Sequence, residues 1–132
     1  MIWKLEGSIM DNIKSPTFAN GKICYIELPS ANIAESSSFY KKVFGWEIHT
    51  RSDGSIAFND TVKEVSGTWR LDRKPITDLG ILVHIMVDDM QTTIKAVIDN
   101  GGIIVQPVGL ELPEITARFS DPTGNVLGLF QQ

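Results

Sequence analysis

At 132 residues, with 42% apolar and 21% charged residues, the chain has the length and balance of one globular domain and carries no low-complexity tract or charge block. A formal net charge of −4 argues against a nucleic-acid backbone as partner, and the single Cys24, set in an apolar run, forms no intrachain disulfide and reads as a buried reduced thiol. Residues 1–21 offer neither a secretory h-region nor a spanning stretch, so the expectation is a cytoplasmic protein with no membrane partner.

Residues 1–21 read as an arm, either without fixed structure or packed on a partner subunit. The run Ile23–Leu28 favours a strand, which Pro29 closes. Asn32 caps a helix with Glu35 three residues on, Ile33, Tyr40, Val43 and Phe44 share its apolar face, and Gly45 stops it. Trp46–His49 and Ser55–Phe58 flank the turn pair Asp53-Gly54, and Glu64–Leu71 supplies a fourth strand. After a linker at 72–78, the plan recurs. Ile81–Val87 is a strand, and Asp89 caps a helix with Met90, Ile94, Val97 and Ile98 on one face. Strands follow at Ile103–Gln106, Glu114–Ser120 and Asn125–Gln131. Pro107–Pro113 has the proline content of a rim segment or lid.

The recurrence is a register as well as an order. Tyr25 falls on Leu82, Asn32 on Asp89, Gly45 on Gly102 and Ile48 on Val105 at an offset of 57, while Phe58 falls on Phe119, Asp60 on Asp121, Gly67 on Gly128 and Trp69 on Phe130 at an offset of 61. A βαβββ unit has one open apolar face and covers it by pairing with its copy, which predicts a cavity shared by two sheets.

The run Cys24-Tyr-Ile-Glu-Leu-Pro, the block Phe39-Tyr-Lys-Lys-Val-Phe-Gly-Trp46, Val87-Asp-Asp before the second helix, and Phe119-Ser-Asp-Pro-Thr-Gly-Asn-Val-Leu-Gly-Leu-Phe-Gln131 carry a resemblance. Over Ile23 to Gln131 the chain resembles the vicinal oxygen chelate superfamily of glyoxalases, bleomycin-resistance proteins and dioxygenases, and within it the lactoylglutathione-lyase-related group. The resemblance implies an α+β fold in which tandem βαβββ units, here 22–71 and 79–132, form curled mixed sheets around a central cavity within one domain of residues 22–132, commonly as a homodimer. It also implies four metal-ligand slots, which correspond to Tyr25, Gly67, Leu82 and Gly128. None of these is an ordinary ligand, so no metal and no other cofactor is expected.

Strand alternation assigns what lines the cavity instead. Tyr25 and Glu27 share a face, as do Leu82, His84 and Met86, while Gly67 with Trp69 and Gly128 with Phe130 extend the lining. Two glycines leave room, and Trp69 and Phe130 provide walls for an aromatic or apolar small molecule. Glu27 and His84 occupy equivalent places in the two units, so a pseudo-twofold would set a carboxylate against an imidazole, a couple able to move a proton beside a carbonyl without metal. The ordinary alternative is a strand-end Glu27 and a satisfied wall His84. Arg118 offers an anion contact from the neighbouring strand, or a rim salt bridge. His49 reads as an exposed strand-end residue, Phe39 and Tyr40 as core, and Ser36, Ser37 and Ser38 lack a base.

Three functional readings stay open. One is a metal-independent lyase or isomerase acting on a small carbonyl compound through Glu27 and His84, and another is binding or sequestration of an aromatic or apolar metabolite or antibiotic. The third is a regulatory or partner-binding subunit.

Overall fold

The computed structural model describes residues 15–78 and 80–132. In chain order the elements are β1 (Tyr25–Pro29), α1 (Ile33–Phe44), β2 (Glu47–Thr50), β3 (Ile56–Asn59), β4 (Ser66–Arg70), β5 (His84–Val87), α2 (Met90–Asp99), β6 (Ile103–Gln106), β7 (Ile115–Ser120) and β8 (Val126–Gln131). They form two four-stranded sheets, ordered β1-β4-β3-β2 and β5-β8-β7-β6. In each, the first strand runs parallel to the last and the remaining pairs are antiparallel. The α+β class and the mixed βαβββ plan are therefore as expected. The sheets do not close into a barrel, and β1 and β5 each keep one edge unpaired among the described residues.

The helix ends follow the sequence closely. Asn32 accepts from the Glu35 amide and Asp89 from the Thr92 amide, which satisfies donors that a first turn leaves open. Gly45 takes a left-handed conformation (φ 75°) that only a residue without a Cβ adopts cheaply, and its amide returns to the Lys41 carbonyl.

Both units feed one core. Tyr40 stacks on Trp46 (4.6 Å between ring centres), Trp46 on Phe58 (4.5 Å), and Phe58 meets Trp69 (4.9 Å). Phe39 reaches across to Phe119 of the second sheet (5.9 Å), and Leu28, Val97, Leu127 and Leu129 complete the interior. Burying this many rings is the main stabilising contribution. Ile98, expected on the apolar face of α2, is instead exposed. Cys24 is exposed too, contrary to the buried thiol expected. It precedes β1, the edge strand of the first sheet, and the main contacts of α1 with that sheet are to β2, β3 and β4.

Part of the arm is described. Ser15 donates to the Val62 carbonyl, Thr17 donates from both amide and hydroxyl to the Glu64 carboxylate, and Lys22 pairs with Glu64 at 2.9 Å. Residues 15–22 thus lie against the β3–β4 turn of their own chain. The rest of the expected arm, 1–14, and Leu79, the expected first residue of the second unit, lie outside the described residues.

One register differs from expectation, and it redistributes the predicted lining. The β3–β4 turn runs from Asp60 to Val65, closed by the Asp60 amide to the Val65 carbonyl. Its counterpart closes from Asp121 to Asn125, one residue shorter. Lys63 absorbs the extra residue with φ 59°. Beyond the turn the two units are therefore related by 60 residues rather than 61, and a shift of one exchanges the faces of every side chain in β4. Thr68, not Gly67, is the structural counterpart of Gly128.

Candidate functional site

The parity of the second sheet is as predicted. Ala117, Phe119, Leu127 and Leu129 fill the core, so Thr116, Arg118, Gly128, Phe130, His84 and Met86 stand on the open face. Register places His84 and Arg118 on either side of Gly128, Gln106 beyond Arg118, and Met86 and Thr116 on either side of Phe130. A Cβ on Gly128 would stand 2.5 Å from Cδ2 of His84. The imidazole thus lies across β8 because that residue is glycine. Leu82 falls just before β5 and is half-buried, while Met86 is exposed.

In the first sheet the expected lining separates. Tyr25 and Glu27 stay on the open face, but Gly67 and Trp69 turn toward the helices, corrections that follow from the longer turn. Trp69 is 3% exposed between Phe58 and Tyr40, and a Cβ on Gly67 would meet the Phe58 ring at 2.3 Å. Trp69 is a core ring, not a cavity wall.

Polar side chains then close the first sheet's open face on itself. Arg51, which follows β2, donates to the Tyr25 hydroxyl on β1 at 2.6 Å, and Ala57 and Thr68, which lie between those strands, are buried. Thr68 donates to the Ile56 carbonyl, and Ser66, Asn59 and Glu47 form a hydrogen-bonded chain. Glu27 is engaged by Arg73 (2.6 Å) and more loosely by Arg70 (3.9 Å), and Arg70 also grips Asp72 through two hydrogen bonds. The Glu27 carboxylate therefore faces two guanidinium groups. It has no ion pair with His84, and the expected acid–base couple is not assembled within the chain.

The second sheet is left with polar groups to spare. Among the described residues Arg118 enters no ion pair or hydrogen bond, and its Nε lies out of contact with water. The rim salt bridge weighed for it is absent. Glu111, from the loop after β6, comes over the same face, where Oε1 accepts from the Thr116 hydroxyl and from Gln106 Nε2 (3.4 Å). Its carboxyl is held below the usual range by the Thr116 hydroxyl first, with the charges of Arg118 and His84 and the Gln106 amide adding to it. Sequence reasoning marked the loop but not Glu111, whose partners lie on other strands. Thr116, two residues from Arg118 and so on the same face, was the available signal.

The four slots that resemble metal positions hold Tyr25, Gly67 or its structural counterpart Thr68, Leu82 and Gly128, a set without convergent carboxylate, imidazole or thiolate donors. Among the described residues no three His, Cys, Asp or Glu side chains cluster as a metal site would require. The residues present do not fit the family's metal. No helix among the described residues is long and apolar enough to cross a membrane.

Between β1, the segment 73–83 and the start of β8 runs a groove of about 340 Å³. Glu27, Arg73 and Lys74 line one part of it, and Ile76, Ile81, Val83 and Val126 another.

Solved structures share this architecture. A glyoxalase/bleomycin resistance protein/dioxygenase family enzyme from Burkholderia phytofirmans PsJN is 18% identical, with a TM-score of 0.65 over 84% of this chain and 98% of that one. An antibiotic binding protein from Streptomyces sp. CB03234 is 21% identical, with a TM-score of 0.64 over 87% and 98%. By sequence, a glyoxylase-like domain-containing protein from Didymella fabae is 29% identical over 92 residues, covering 63% of this chain and 70% of that protein. The profile of the Glyoxalase/Bleomycin resistance protein/Dioxygenase superfamily matches residues 22–129, and the chain belongs to that superfamily.

Proposed function

We propose that this protein binds a small organic molecule on the open face of the second sheet and holds it without converting it. The carrying observation is the contrast between the two open faces: Glu27 is taken up by Arg73 and Arg70, whereas Arg118 has no hydrogen-bond or ion-pair partner among the described residues and His84 and Met86 are exposed. Exposed or half-buried apolar side chains beside unspent polar donors are the usual composition of a ligand surface. Proton transfer through Glu27 and His84 is disfavoured because the acid is already paired with arginine. The likeness in fold to an antibiotic binding protein is consistent with sequestration.

A homodimer is part of this reading. Ile103, Val105, Leu110 and Leu112, all on or around the second sheet, are exposed to an extent that a second subunit would relieve. The test is native mass spectrometry after incubation with aromatic and carbonyl metabolites, with chromatography of the released small molecules. The expected result is a dimer retaining an unaltered compound, and retention falls at least about tenfold in His84→Ala, the scale expected when one well-placed side chain is removed from a binding surface. Appearance of a converted product that depends on Glu27 and His84 would replace this reading with the lyase or isomerase.

A further inference from the structure

We propose that Arg118, flanked by Thr116 and His84, is a subsite for the carboxylate of a monoanionic ligand, and that the loop carboxylate Glu111 guards it as an internal competitor. The proposal rests on the ligand lying on the second sheet's open face, as above, and adds its charge class and its gate.

Four arginines occur in the chain. Arg51 is bonded to the Tyr25 hydroxyl, Arg70 to Asp72 and Arg73 to Glu27. Arg118 is the exception: among the described residues its guanidinium meets no acceptor, and its Nε is buried. A guanidinium cannot shed its charge, and one that its own chain leaves unpaired is a ready partner for an acceptor from outside. The neighbours suit a carboxylate. On one side the His84 ring leans over Gly128, the residue that separates it from Arg118 in the sheet. On the other, the Thr116 hydroxyl already holds a carboxylate oxygen, that of Glu111.

Glu111 shows how such a group is received and why the site is not filled by it. One of its oxygens is held by Thr116 and Gln106, and its charge acts on Arg118 and His84, but neither oxygen reaches ion-pair distance of the guanidinium. The loop thus lends a nearby negative charge without capping the guanidinium. A planar carboxylate matches the guanidinium fork. A dianion such as a phosphate monoester would meet greater repulsion from Glu111, and this favours the monoanion. Phe130 and Met86 in the adjoining row supply an apolar or aromatic floor for the rest of the molecule.

Benzoate and its neutral isostere benzamide separate the possibilities, titrated into the whole protein and followed by NMR at the Gly128 amide and the Arg118 Nε–H. Benzoate is expected to shift both resonances saturably and to bind about tenfold tighter than benzamide, the increment of a charge-assisted hydrogen bond. Arg118→Gln should level the two probes, and Glu111→Gln should strengthen benzoate about threefold or more by removing a like charge while leaving benzamide unchanged. Equal affinity for the two probes in the unmodified protein would overturn the carboxylate subsite while leaving the ligand face in place. A saturable response from neither probe at Gly128 would overturn both. Weaker benzoate binding in Glu111→Gln would reject the gate. These outcomes stand on the unmodified protein and Glu111→Gln even if Arg118→Gln fails to fold.

Discussion

At Gly67 a Cβ would stand 2.1 Å from the Ile26 carbonyl oxygen and 2.3 Å from the Phe58 ring, whereas at Gly128 the nearest obstacle is the His84 imidazole at 2.5 Å. Backbone and a stacked core ring do not yield, but an exposed imidazole rotates away. Gly67→Ala is therefore expected to lower stability by about 3 kcal/mol, the upper range for overpacking. Gly128→Ala should cost about 1 kcal/mol or less and act mainly on ligand retention by lifting the ring off β8. Urea denaturation alongside a binding assay separates the two. Similar stability losses at both sites would contradict the one-residue difference between the units. In the sequence repeat these glycines align as equivalents because their letters match. What it did not reveal was the residue absorbed at Lys63, since a left-handed lysine leaves no compositional mark.

Among the elements, the helices were the most legible in the sequence. Their caps and stops are local chemistry, and Asn32, Gly45 and Asp89 behave as their residue types require. Contacts made between elements were not legible, and the segment 15–22 shows why: Ser15 and Thr17 hold the β3–β4 turn through Val62 and Glu64, each 47 residues away. The Glu64 carboxyl is held below its ordinary value by hydrogen bonding from Lys22 first and then from the Thr17 amide. A depressed carboxylate stabilises the folded arrangement above the ordinary glutamate pKa of about 4.3, and that contribution fades as pH falls through the lowered folded value. Protection of the Thr17 amide from hydrogen exchange is accordingly expected to be complete near neutrality and to decline on acidification. In Glu64→Ala it should be weak and insensitive to acid. Protection that persists in that variant would show that the segment is held by something else.

On the scale of the molecule, the halves are joined by Asp121, which sits in the last turn yet serves the first helix. Its buried carboxylate accepts from the Tyr40 hydroxyl at 2.9 Å, from the amides of Thr123 and Asn125, and from the Asn125 side chain, which also reaches the Pro29 carbonyl. Burial, with the Asp121 charge second, pushes the Tyr40 hydroxyl well above its ordinary value, so it remains a donor. Tyr40→Phe should destabilise the chain by about 2 kcal/mol, as expected for a lost hydrogen bond to a buried charge. Asp121→Ala should cost more, because several donors are stranded together. Thermal unfolding measures both, and a loss of cooperativity in Asp121→Ala would identify the turn as the clasp between units. Tyr40 was placed in the core from its helical spacing, but its partner lies 81 residues away and was not visible from the sequence.

The extra residue at Lys63 also divides the labour of the two duplicated halves. In the first unit it commits Gly67 and Trp69 to the interior ring column, so exchanges there are tested against stability. In the second unit, a face bearing Arg118, Thr116, His84 and Met86 stands clear of that column. On the reading proposed above, ligand preference can drift through this face over generations while the scaffold that carries it stays fixed.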